Sequence, residues 1–205
     1  MFKLKHMIID HVDKTLSIKI VYFGPALSGK TTSIKALFSL FGKEEELCSV
    51  ESTVNRTLFF DYGTVTFQNQ DWRIKIHIYT TTGQDFYMIT RLTTLRAVDG
   101  IIFILDSHRD VYSRNLISWK ELMSYFNEFF EQIPILLVFN KQDLEPEIKL
   151  NPRELLKEIG YPKYKNVDTR YTSAINGEGV LECFEEILQL ILKKHFKQHL
   201  VSVAI

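Results

Sequence analysis

Cysteine is nearly missing from these 205 residues: Cys48 and Cys183 stand far apart and outside any metal-ligand spacing. That excludes a disulfide-stapled scaffold and a zinc ribbon, and it implies reduced thiols. Glycine (9) and proline (5) are scattered singly, so no linker or low-complexity tract divides the chain, and no internal repeat is visible. Apolar runs stay well short of the roughly 18 residues of a membrane span, and the N-terminus has no signal-peptide core. The ending Ser202-Val203-Ala204-Ile205 has no cysteine to prenylate, and Met1-Phe2 excludes myristoylation. The expectation is a cytoplasmic protein with no transmembrane segment or lipid anchor, touching a membrane only peripherally. Charge of one sign is also lacking. Lys+Arg and Asp+Glu both number 25, so no global basic field calls for nucleic acid. What is present is ordinary for a globular chain: 45% apolar and 24% charged residues, enough for a substantial core.

Short β-rich runs alternate with longer helical patterns, which predicts α/β architecture with a mostly parallel sheet and helices on both faces. Six strands are expected, near 17–24, 57–66, 72–79, 100–106, 133–140 and 167–172. Helices are expected near 30–41, 112–130, 152–159 and 180–195. The runs Ile101-Ile102-Phe103-Ile104-Leu105 and Ile135-Leu136-Leu137-Val138-Phe139 are apolar throughout, as strands covered on both faces should be. Asp71 marks a turn between the second and third strands, read as the sheet's one antiparallel pair. One domain, 1–205, is expected, with 1–16 as an N-terminal extension or an extra edge strand around Met7-Ile8-Ile9.

The sharpest motif is Gly24-Pro25-Ala26-Leu27-Ser28-Gly29-Lys30-Thr31, a full match to G-x-x-x-x-G-K-[ST] between a strand and a helix. Gly24 and Gly29 permit backbone angles that aim successive N–H groups at phosphate oxygens, across Ala26, Leu27 and Ser28. Lys30 reaches the β/γ oxygens as a point charge, and the Thr31 hydroxyl is suited to Mg²⁺. The following helix, starting with Thr31 and Thr32, turns its positive end to the same anion. A P-loop nucleotide site follows.

Asn140-Lys141-Gln142-Asp143 comes directly after a buried strand. A carboxylate at 143 accepts from N1–H and the exocyclic amine of guanine, a donor pair adenine lacks, so the expected ligand is GTP/GDP rather than ATP. Asn140 would tie this loop to the phosphate loop, and the Lys141 stem would lie over the base. Thr172-Ser173-Ala174 after the last strand is a weaker signal. There Ser173 and the Ala174 N–H would complete the base site, with the N–H donating to the guanine oxygen.

In this order the motifs resemble those of the Ras-like small GTPases over nearly the whole chain. The nearer resemblance is to the MglA group of bacterial and archaeal polarity GTPases. It rests on Ile20-Val21-Tyr22-Phe23-Gly24-Pro25, Gly29-Lys30-Thr31-Thr32, Arg56-Thr57-Leu58-Phe59-Phe60-Asp61 and Tyr79-Thr80-x-x-Gly83-Gln84-x-Phe86-Tyr87. The resemblance implies a GTP-hydrolysing molecular switch. Thr57 would ligate Mg²⁺ with Thr31, Gly83 would contact the nucleotide, Gln84 would orient the attacking water and Arg56 would act as an arginine finger in cis. For Arg56, an exposed arginine opening a strand is the competing reading. A Roadblock-fold, MglB-like activator at the switches is implied as partner. Phosphoryl transfer fits these roles, since a placed arginine contributes roughly 10³–10⁵ in rate.

Three departures bear on rate. Thr80 stands where most Ras-like proteins carry Asp, Thr82 where the MglA group usually has Pro, and Ala26 where its members often show Gly. A crowded γ-phosphate side and a magnesium site leaning on Thr31 and Thr57 make low intrinsic hydrolysis the expectation, with a non-hydrolysing GTP-binding scaffold as the alternative. Asp61 is read as structural rather than as a ligand. His195 and His199, spaced i, i+4, are read as surface histidines, and Phe126, Phe129 and Phe130 as core.

Overall fold

The computed structural model describes residues 7–52, 56–68, 71–81 and 88–203, with backbone alone at 49–52, 56–60, 88–89, 162 and 197–203. Its eight strands form one sheet: β1 (Ile8–Asp10), β2 (Thr15–Phe23), β3 (Cys48–Ser52), β4 (Arg56–Gln68), β5 (Arg73–Thr80), β6 (Gly100–Asp106), β7 (Ile135–Asn140) and β8 (Val167–Tyr171). The order is β3-β4-β5-β2-β6-β7-β8, with β1 also paired to β2. From β5 to β8 every neighbour is parallel, and β6 and β7 are buried along their full length, as their continuous apolar runs require.

Eight strands replace the expected six, and three antiparallel pairs replace one. The extra N-terminal strand forms, but it lies against the central strand β2 rather than at the sheet's outer edge. Ile8 pairs with Ser17 and Asp10 with Thr15, while β6 joins β2 only from Ile20 onward, which leaves the start of β2 open to β1. The Asp10 carboxylate accepts from the Val12 and Asp13 N–H groups and closes that turn. The unforeseen β3 pairs with β4 across a register shift between Ser49 and Glu51 and becomes the sheet's far edge.

Among the described residues, five α-helices cover the sheet: α1 (Lys30–Leu40), α2 (Met88–Leu95), α3 (Tyr112–Phe126), α4 (Pro152–Glu158) and α5 (Val180–Val203). α3 ends four residues short of the expected Phe130 because Asn127 takes φ +47°, and a 3₁₀ stretch (Asn127–Gln132) follows. Phe126 and Phe130 still reach the core. α5 runs past His195 to Val203. One apolar face packs Ile34, Leu37 and Phe38 of α1 with Phe184, Ile187 and Ile191 of α5. The other packs Leu95, Trp119, Leu122 and Leu155 from α2, α3 and α4. Both faces being covered leaves the carboxyl ends of the strands as the place where loops meet.

Candidate functional site

The loop after β2 needs glycine at two points. Gly24 has φ +140° and Gly29 φ +99°, and a Cβ would lie 2.2 Å from the Ile104 carbonyl oxygen at the first and 2.2 Å from Asn140 Nδ2 at the second. The close approach at Gly29 is where two sequence motifs meet. Asn140, at the end of β7 and 2% exposed, donates from Nδ2 to the Ser28 carbonyl at 2.8 Å. Its Oδ1 accepts from the Thr172 hydroxyl and from the Ala174 N–H, both at 3.0 Å. One amide thus joins the loops after β2, β7 and β8. The Ala174 N–H, expected to face a base oxygen, is spent on Asn140.

Around this bridge, Ser173 Oγ donates to Asp143 Oδ1 at 2.7 Å, which orients an otherwise exposed carboxylate. Lys141 adopts φ +67°, and its ammonium lies 2.6 Å from Asp106 Oδ2 at the end of β6. Asp106 is fixed in turn by Asn115 of α3, which accepts from its N–H and donates to its carbonyl. The aliphatic stem of Lys141 is thereby anchored at its tip beside the Asp143 turn.

Lys30 is 6% exposed and donates to the Gly24 carbonyl at 2.9 Å and the Pro25 carbonyl at 2.7 Å. Burial, followed by the Arg91 guanidinium, pushes its ammonium down to about 7, and Asp61 pulls the other way. Arg91, on α2, is itself buried and donates to Glu121 of α3 at 2.6 Å. Sequence reading missed α2 and this pair. The signal available was the i, i+3, i+4 spacing of Arg91, Thr94 and Leu95, all buried.

Next to Lys30 in the chain, Thr31 donates from Oγ1 to Asp61 Oδ2 at 2.6 Å, and Thr80 Oγ1 donates to the same oxygen at 3.0 Å. Asp61 has no exposed surface, and Thr80 is 1% exposed. These hard oxygen donors beside the phosphate lysine fit a magnesium ion. No group of three or more His, Cys, Asp or Glu side chains suited to a metal occurs among the described residues. Arg56 and Thr57 open β4, their backbones paired with Ser52 and Glu51. Their side chains, and all of Thr82, Gly83, Gln84, Phe86 and Tyr87, lie outside the described residues. No helix among those described is long and apolar enough to cross a membrane.

Comparison with known proteins agrees with this geometry. The Ras family model matches residues 19–193. The chain is 30% identical to the mutual gliding-motility protein MglA of Myxococcus xanthus, over 90% of this chain and 95% of that protein. It is 26% identical to human ADP-ribosylation factor-like protein 4A over 91% of this chain and 90% of the relative. It is also 25% identical to the GTP-binding protein ypt4 of Schizosaccharomyces pombe, over 86% of this chain and 72% of the relative.

Proposed function

This chain belongs to the Ras family of small GTPases, and we propose that it is a guanine-nucleotide switch of the MglA type. It binds GTP or GDP with Mg²⁺, hydrolyses GTP slowly alone, and passes between two arrangements of 42–57 and 80–96. The observation that supports this most is the Asn140 bridge, which ties the phosphate loop to the loops carrying Asp143 and Ser173. That bridge fixes the distance between a phosphate cradle and a carboxylate suited to the guanine edge. Backbone N–H groups of Gly24 and of 26–32, Ala26 and Leu27 included, serve the phosphates together with the Lys30 side chain. Asp143 selects the purine, since adenine would leave its carboxylate without the donor pair.

When bound, magnesium would be held by Thr31 and Thr57 and would neutralise charge on the phosphate oxygens. Gln84 orients the attacking water and Gly83 meets the nucleotide. Arg56 offers its guanidinium to the equatorial oxygens, where developing charge gains most from a fixed cation. The MglA likeness adds a Roadblock-fold, MglB-like activator at the two switch segments, and a cytoplasmic setting.

Binding and single-turnover hydrolysis measured with GTP, GDP, ATP and XTP on wild type and Asp143→Asn test the reading. Expected are tight GTP and GDP binding, weak ATP binding, and a shift of preference toward XTP in the variant, because an acceptor becomes a donor. Equal ATP and GTP affinity would overturn it. A second reading, a scaffold that binds GTP without hydrolysing it, is favoured by Ala26 and by Thr80 in place of Asp. It predicts no phosphate release with any activator and an unchanged rate in Gln84→Leu.

A further inference from the structure

We propose that Asp61 is the carboxylate of the magnesium site, with Thr80 as the residue that positions it. The inference rests on the guanine-nucleotide reading and extends it to a residue outside the P-loop and switch motifs.

Asp61 lies inside β4, an unusual place for aspartate in a strand otherwise rich in aromatic and β-branched residues. The register that pairs Tyr62 with Tyr79 sets Asp61 directly across from Thr80, so both side chains emerge on the same face of the sheet. The Asp61 N–H donates to Thr80 Oγ1 at 2.7 Å, and that hydroxyl donates back to Asp61 Oδ2 at 3.0 Å. Backbone and side chain of one residue therefore grip a single threonine, which fixes the carboxylate's direction. That direction is toward α1, where Oδ2 accepts from the Thr31 hydroxyl at 2.6 Å.

The Thr31 contact gives the arrangement its chemistry. A hydroxyl that lends its lone pair to a divalent cation still needs an acceptor for its proton, and a carboxylate there makes the oxygen a better ligand. Asp61 is that acceptor. It also supplies negative charge beside a hard cation. Thr80 carries no charge of its own, so at this end of the sheet the anionic oxygen comes from the neighbouring antiparallel strand. Asp61 has no exposed surface, so bulk water does not screen its charge at Thr31. A merely structural aspartate could take its hydrogen bonds from any neighbour. This one accepts from the hydroxyl that closes the phosphate motif.

The test reads magnesium affinity rather than turnover. Release of fluorescent GDP is followed across free magnesium concentrations, from excess chelator to saturation, for wild type, Asp61→Asn, Thr80→Val and the double variant Asp61→Asn/Thr80→Asp. Asp61→Asn is expected to raise the magnesium midpoint roughly 10–100-fold, with release under chelator unchanged. Thr80→Val should shift it less, in the same direction. The double variant, which moves the carboxylate across one strand pair, should recover part of the loss. Manganese bound to the GDP complex, counted by electron paramagnetic resonance, should follow the same order. A wild-type midpoint in a folded Asp61→Asn would overturn the inference while leaving the nucleotide reading intact. Should Asp61→Asn fail to fold, an unshifted midpoint in Thr80→Val overturns it equally. Wild type that retains no GDP at any magnesium level would overturn the nucleotide reading and this inference together.

Discussion

The phosphate loop is held on two sides by unlike chemistry. At Ser28 a neutral amide, Asn140, takes the loop's carbonyl and satisfies its other end with a hydroxyl and a backbone N–H. At Thr31 a carboxylate with no exposed surface, Asp61, takes the hydroxyl and is steadied by Thr80. The base side keeps Asp143 at the surface, pairs its one buried carboxylate, Asp106, with Lys141, and builds the bridge itself from neutral hydrogen bonds. Such bonds are inexpensive to bury once every donor and acceptor is paired. On the phosphate side the charges, Asp61, Lys30 and Arg91, are all buried together. Buried charges cost several kcal/mol each unless matched, so this side is sensitive to the charge of what it meets. Under the proposed function, the base side acts as a frame, and the phosphate side as a sensor of anion and cation.

The sharpest way to break this contrast lies at Arg56. Its replacement by Ala should slow activated GTP hydrolysis about 10³-fold or more while leaving GDP affinity nearly unchanged, measured by single-turnover phosphate release. An equal fall in affinity would mean that Arg56 belongs to the frame instead. Next in size, Asn140→Ala removes the partner of the Ser28 carbonyl, the Thr172 hydroxyl and the Ala174 N–H in the interior. A stability loss of roughly 3 kcal/mol is expected from these three groups, read as a shift of the urea midpoint at constant slope. Unchanged stability would show that the three loops stand without their bridge.

Smaller is the effect at Asp143. Asp143→Asn should weaken GTP binding roughly 5- to 150-fold through one mismatched contact of about 1–3 kcal/mol, with the fold intact, since the carboxylate is exposed. A matching loss of stability would move Asp143 from ligand to framework. The mildest probe is pH. Lys30, held down to about 7 by burial, must be an ammonium to meet phosphate. Above pH 7 binding therefore takes up a proton, and affinity should fall toward tenfold per unit as the pH rises. Calorimetry in buffers of different ionisation heat would show that uptake. The same depressed value makes folding more favourable as pH rises from about 7 toward the ordinary lysine range, because the unfolded chain binds the extra proton there. Affinity and stability should thus move in opposite directions with pH.

Much of the base side was legible in the residues. Asn140 was expected to tie two loops together and does so, because a four-residue motif after a fully apolar strand leaves few conformations open. The phosphate side was legible only in part. The contacts of Asp61 with Thr31 and Thr80 were not legible, because those residues are 30 and 19 positions away and only strand register brings them together. α2 was overlooked because its helix is short and follows a segment read for chemistry, while β3 passed for loop between helix and strand. The N-terminal strand was seen, but its place beside β2 depends on where β6 begins, a property of the whole sheet.

The order of residues by itself determined the α/β class, the phosphate loop, the base-recognition turn and the strands buried on both faces, because each follows from local spacing and from the period of its apolar residues. Tertiary structure alone decided which hydroxyl the buried carboxylate grips, which carbonyl the bridging amide holds and where the extra strand docks. Those outcomes depend on contacts between distant segments, and a one-residue change of register would send Asp61 to the other face of the sheet.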